Sequence, residues 1–430
     1  MKKNNDSDIS FLGKILLFFH NVAEKLREFK LFEKIKKKQR SAAHLEDDAS
    51  PEEARISYFF GWARTVTFAL LCILLCLTLI FGGGIFSYEN VYYMFKDIQY
   101  VSTYGEARAE QLNYSRPMAR QDFSVFKNGL AVASDSELKL FTSTGRVTMT
   151  RGSEYSNPKL SASDSSILVY DQGNRDFSVY NSFTELYRER LDFPISSASM
   201  SDVGTYTIVT KNEKYRSCVR LYDKHNELKF EYCKNDYIIS AQLSQDGALL
   251  AVLSLNADGG KSEVTLTLVN ANRGAVKKSV RIDDSMPYSC QFLSNDRIVV
   301  FSQSGAYVYN TNLAQKSSYS KGSIMQYAYD DTGFVLITEG GGIAASNTVI
   351  AFNKNGQTVM NQQITGDVRD VKIKSTYAYV LTDNCVYRFD TRFGTVSIAA
   401  FSSEDARLAV FSDGSVAVCT DAVAYYVTFE

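Results

Sequence analysis

The sequence predicts an all-β propeller of eight blades, with seven as the rival count, joined to an N-terminal transmembrane helix and a cytoplasmic amphipathic helix. Three observations predict it. A strand–turn–strand phrase recurs about every 41 residues; a second such phrase precedes each copy; and one uncharged stretch of about 21 residues begins at Val66. The chain has 430 residues, 45% of them apolar, with 27 Tyr and 27 Phe but only 5 Pro and one Trp. Aromatic residues favour strands, and the length exceeds one ordinary domain. Net charge is −1, so no basic field marks a nucleic-acid partner and none is expected.

The first segment, residues 1–40, reads as a basic amphipathic helix. Leu12, Ile15, Phe19, Val22, Leu26 and Phe29 fall at steps of three and four, which places them on one helical face. Lys30, Lys34, Lys36, Lys37, Lys38 and Arg40 are candidate contacts for an anionic inner leaflet. A partner-docking or bundle helix fits the same pattern. Residues 41–57 open on the acidic run "SAAHLEDDASPEEA" and read as a linker.

Residues 58–88 read as a membrane span with interfacial flanks. "VTFALLCILLCLTLIFGGGIF", Val66 to Phe86, carries no charge, and about 20 such residues suffice to cross a bilayer as a helix. It starts far from residue 1, unlike a secretory signal. Tyr58, Trp62, Tyr88, Tyr92 and Tyr93 sit where interfacial aromatics gather. Residues 1–65 hold 13 Lys or Arg, and the next twenty after Phe86 hold only Lys96. The positive-inside rule therefore places the N-terminus in the cytoplasm and the remainder outside. The expected location is the cell membrane, single-pass, with the lipid bilayer as one partner.

Residues 89–430 carry the repeat. Its turn anchors are Thr142, Asn181, Asp223, Asn270, Asn310, Asn353 and Asp390, spaced by 37 to 47 residues. "RFDTRFGTV" from Arg388 is typical: a strand ends in an Asp that can bond its own backbone, and a Gly follows that tolerates positive φ. The preceding phrases include "AQLSQDGALLAVL", "CQFLSNDRIVVF" and "YAYDDTGFVLIT". Two hairpins per period make a four-stranded blade, and the period suits a propeller. The final stretch, "RLAVFSDGSVAVCTDAVAYYVTFE", supplies three strands. An unpaired edge is a liability, so the fourth strand is expected from residues 99–114.

The phrase of turn Asp or Asn with a later Gly resembles the repeat of quinoprotein-like, PQQ-like propellers. Their Trp docking contacts are missing, because the only Trp is Trp62, and no cofactor is expected. The whole pattern of basic tail, one span and Tyr-rich propeller resembles an uncharacterised family of single-span envelope proteins from Firmicutes. That resemblance implies a fold and a location but no activity.

Catalytic motifs are not found. The three histidines are His20, His44 and His225, with two on the expected cytoplasmic side and the third in a turn, which disfavours a triad or a multi-His zinc site outside. The acidic pairs Asp283–Asp284 and Asp330–Asp331 lack the alternating ligand spacing of a calcium loop. Cys218 and Cys233 are equidistant from His225–Asn226. With a two-residue turn there they face each other across two strands, which permits a disulfide, and a slip of one residue separates them. Cys290, Cys385 and Cys419 read as buried strand residues.

The reading is a non-enzymatic, membrane-anchored scaffold of the cell envelope that binds a protein or a cell-wall glycan through its loops and channel. Two alternatives stand beside it. One is a glycan-acting enzyme with two carboxyl groups about 5–10 Å apart near the channel; the other is a single-span transmembrane sensor.

Overall fold

The computed structural model describes residues 64–72, 111–114, 121–142, 145–257, 262–283, 286–340, 346–402 and 405–429. The chain divides into two units, Met1–Lys96 and Asp97–Glu430. In the first, residues 64–72 form a helix on which Phe68, Leu70 and Leu71 are exposed. No helix among the described residues is long and apolar enough to cross a membrane. The rest of the expected span, the amphipathic helix with Lys30, Lys34, Lys36, Lys37, Lys38 and Arg40, and the linker 41–57 lie outside the described residues.

The second unit is an eight-bladed propeller. Its described residues form eight four-stranded antiparallel sheets. Blades 1 to 7 are consecutive in sequence: 122–152, 158–190, 197–234, 237–282, 287–319, 324–365 and 368–400. Blade 8 takes Arg407–Val410, Val416–Cys419 and Val423–Val427 from the end of the chain and adds Gln111–Asn113 as its fourth strand. Leu112 lies opposite Ala424 in that pairing. In blades 1 to 7 the strands are called A to D in sequence order; in blade 8 the three C-terminal strands are A to C and Gln111–Asn113 is D.

The physical cause of the ring is two-faced burial of the B strands. Gly129–Ala133, Ile167–Asp171 and Tyr206–Thr210 are buried at every position. Successive strand residues point to opposite faces. In blade 4, Leu250 and Val252 therefore pack toward blade 3, while Ala251 and Leu253 pack toward blade 5. Every hydrophobic core of the ring lies between two neighbouring blades. One joins blade 8 to blade 1 through Leu112, Tyr114, Phe141 and Phe411, and another joins blades 7 and 8 through Tyr379 and Leu408. Burying one such side chain contributes about 1.5–3 kcal/mol, and a lone blade would expose both of its faces.

The A strands touch one another around the ring, and contact between those of blades 1 and 8 closes it. They are therefore innermost. The D strands are outermost and alternate with solvent, as in Val396–Ala400. Buried Lys139 ties the closing segment to blade 1: its Nζ donates to the Tyr114 carbonyl at 2.7 Å and pairs with Glu137 at 2.6 Å.

The C–D turns follow one chemistry. Asp390 Oδ1 accepts from Arg392 N at 2.9 Å, and Gly394 N, at φ 67°, donates to the Asp390 carbonyl at 2.8 Å. Asn353 Oδ1 likewise accepts from Asn355 N and Gln357 N. In blades 1 to 6 the C–D register shifts just before the anchor. Such a bulge adds a residue and twist. The hairpin around His225–Asn226 is accordingly not a two-residue turn. It runs from Asp223 to Glu227, and the bulge beside Leu221 and Tyr222 restores the pairing of Cys218 with Cys233. At the start of the blade 6 B strand, Gly333 passes so close to the Phe352 carbonyl oxygen that a Cβ there would collide with backbone.

Leu112 is buried in the closing strand. Leu112→Ala is expected to lower the unfolding free energy by about 2–5 kcal/mol in urea denaturation. An unchanged midpoint would show that the strand is not part of the cooperative ring.

Candidate functional site

Antiparallel order puts the A–B and C–D turns on one face of the ring and the B–C and D–A connections on the other. The A strands hold each other by polar bridges across the blade boundaries. Asp122 accepts from Leu160 N at 2.9 Å and pairs with Arg407 at 3.3 Å. Ser161 accepts from Met200 N, Ser199 donates to the Ala241 carbonyl, and Ser240 donates to the Cys290 carbonyl. Gln326 donates to the Val368 and Arg369 carbonyls, and Asp370 accepts from Leu408 N at 2.8 Å. At the blade 5–6 boundary the A-strand contact is aromatic, with the rings of Tyr288 and Tyr327 5.6 Å apart.

The ring is not symmetric. The A strands of blades 4 to 7 each carry a register shift near their start, which leaves Ile239, Tyr288, Met325 and Arg369 as the extra residues. The A strands of blades 1, 2, 3 and 8 pair without one. A bulge re-aims a side chain and bends its strand. Because each lies at the start of an innermost strand, the four mark an arc at the connection-face mouth of the channel. Tyr288 is 38% and Met325 53% exposed, with Met286 beside them at 61%; Arg369 is also exposed, and Ile239 is half-buried. Burial, and then Tyr327, pushes the Tyr288 hydroxyl up to about 12. The arc was not read from the sequence. It accompanies a difference seen only in the structure: these A strands run 6 to 8 residues, against 4 or 5 in the other blades.

At the opposite face, the Asp202 carboxyl is raised above its ordinary value by burial first and then by Asp164, with Lys374 opposing and Asp331 adding to the rise. Asp164, Asp202 and Asp331 come from A–B turns of blades 2, 3 and 6, and Lys374 ends the A strand of blade 7. Among the described residues no group of three or more His, Cys, Asp or Glu is placed to hold a metal ion. His225 is exposed in its turn.

Cys218 and Cys233 are joined as a disulfide, with Cα atoms 4.0 Å apart. It staples the D strand of blade 3 to its C strand, and Asn212 Nδ2 lies 3.4 Å from Cys233 Sγ. Cys218 lines a cleft of about 570 Å³ with Leu191, Asp192, Lys211, Lys214 and Glu231, a mixed-charge lining that selects no one ligand. Cys290 and Cys419 are buried; Cys385 is only half-buried, near the Thr382 hydroxyl.

Residues 100–419 match a family described as a family of unknown function, DUF5711. No curated protein matches the sequence. Solved structures similar to it include BamB from Moraxella catarrhalis, 12% identical with a TM-score of 0.53, covering 75% of this chain and 99% of that one. Another is the WD40 domain of Pan2 from Neurospora crassa, 10% identical with a TM-score of 0.45, covering 63% and 87%. The likeness to BamB shows the fold.

Two outcomes are expected of the cysteines. Burial pushes the Cys290 and Cys419 thiols from an ordinary 9.0 up to about 12. Below pH 9 they are neutral in both folded and unfolded chains; between about 9 and 12 the unfolded chain ionises first, so stability falls across that window. At pH 8 neither should react with a maleimide until denaturant is added, and mass spectrometry of native and denatured samples checks this. Cys233→Ser should cost about 3 kcal/mol for a loop closed over 15 residues, read as a lower urea midpoint that reductant no longer changes.

Proposed function

The chain belongs to DUF5711, a family of unknown function, and from that premise we propose that it is a membrane-anchored, extracytoplasmic propeller that binds a partner protein as a scaffold of the cell envelope. The arc at the channel mouth carries this reading. Tyr, Met and Arg are the side chains enriched at protein interfaces, where Lys, Glu and Asp are depleted. Tyr288, Met325 and Arg369 place those types together on bulges. A glycan site would draw more on hydrogen-bonding side chains, so a protein partner is preferred to a cell-wall glycan.

Two further observations support the envelope location. A disulfide between strands persists in an oxidising compartment. The apolar side chains exposed on the helix at 64–72 suit a lipid surround. The basic residues from Lys30 to Arg40 would then lie against the inner leaflet. A binding role rather than a catalytic one is the reading preferred throughout.

Photo-crosslinking in the native host tests it. A photoreactive residue at Met325 should capture an envelope protein, and the same residue at Val147, on an outer strand, should not. Met325→Ser with Arg369→Ser should weaken that complex by tenfold or more, about 1.4 kcal/mol, at unchanged Tm, since both side chains are exposed. Capture of cytosolic proteins alone, or no capture from the arc, overturns the proposal.

A further inference from the structure

Among the described residues no strand pairs with the outer edges of the D strands, and those edges are not alike. Five carry charged residues: Arg151, Arg188, Lys229, Lys277 and Lys316 mark blades 1 to 5. Charge on an edge blocks pairing with another chain. The outer strand of blade 8 has three residues. The D strand of blade 6, "TVMNQQIT", is uncharged but polar at Asn361, Gln362 and Gln363. Only in blade 7 is the described D strand both uncharged and mostly apolar, "VSIAA" over Val396–Ala400.

The geometry of that strand suits strand addition. Asp390 N bonds the Thr395 carbonyl at one end, and Phe401 N bonds the Asn384 carbonyl at the other. Antiparallel hydrogen bonding alternates, so residues 395, 397, 399 and 401 turn their main-chain groups inward. Val396, Ile398 and Ala400 turn theirs outward, and among the described residues no strand pairs with them. Val396 is 42% and Ile398 55% exposed. Aromatic side chains bracket the edge. Phe393 is 75% exposed at the turn, and Phe401 lies 5.9 Å from half-exposed Tyr425 at the far end.

We propose that the outer edge of blade 7 adds a strand from a partner protein: an extended, uncharged segment with apolar residues at alternate positions. The main-chain row of Val396, Ile398 and Ala400 supplies the bonding, and Phe393 and Tyr425 supply apolar contacts at its ends. The absence of charge along this strip matches a neutral strand, as the charged D strands of blades 1 to 5 do not. A second copy paired rim to rim would touch through one five-residue strand, short of the roughly 1,000 Å² a stable dimer needs. This site is separate from the channel mouth and does not rest on it.

The test uses the full chain in detergent and a capped fluorescent peptide of alternating valine and threonine, read by polarisation. Saturable binding is expected. Ile398→Lys, which restores an edge charge, and Ile398→Pro, which removes one outward N–H where the ladder does not use it, should each weaken binding at least about tenfold. Ile398→Thr should bind within about threefold of the parent. Equal Tm values across the three variants separate edge loss from unfolding. No saturable binding, or binding indifferent to Ile398→Pro, overturns the proposal. A dimer in sedimentation that Ile398→Lys dissolves overturns the choice of a partner strand in favour of a second copy.

Discussion

Burial of both faces of every B strand is the constraint on which the molecule depends. Leu250 and Val252 need blade 3 as much as Ala251 and Leu253 need blade 5. A blade has no interior of its own, so stability is a property of boundaries between blades. An open array would leave two boundary faces in water, and closure removes both. The short strand Gln111–Asn113, with Leu112 and Tyr114 in the boundary core between blades 8 and 1, thus matters far beyond its length.

The same constraint explains where the ring is free to differ. Boundary cores draw most heavily on the B and C strands and take fewer side chains from the A strands, such as Cys290 and Leu408, and from the D strands, such as Met149 and Leu112, so the remaining positions of the A and D strands are the less constrained ones. Variation gathers at those positions. In the channel, half the ring carries bulges that bring Tyr288, Met325 and Arg369 to one mouth. At the rim, charged residues protect five edges while blade 7 shows Val396 and Ile398. The ring is regular where repeats must agree and individual at the channel mouth and the rim.

Most of the fold was legible because each repeat states its own period. An Asx side chain that bonds its own backbone, as Asp390 and Asn353 do, is a local device visible in a short stretch of residues. Pairing of Cys218 with Cys233 was legible for the same reason, although the turn between them is longer than expected and a bulge makes up the difference. The channel-mouth arc was not legible. A single extra residue at the start of an A strand leaves no mark in the hydrophobic pattern, and only the pairing partner reveals it. The electrostatic coupling of Asp202 to Asp164, Asp331 and Lys374 was equally hidden, since these groups are far apart in sequence and Asp331 reads there only as half of an acidic pair.

By itself the sequence determined what is local and repeated: the eight units, their turns, the apolar runs that demand neighbours on both sides, and the deficit of one strand in the last unit. These follow from side-chain periodicity and backbone chemistry acting within a few residues. Tertiary structure alone decided which innermost strands bulge, which side chains reach the mouth, and which main-chain groups of an outer strand face away from the ring. Those features depend on register and closure between segments distant along the chain, and no local pattern encodes a distance between residues that meet only in the finished ring.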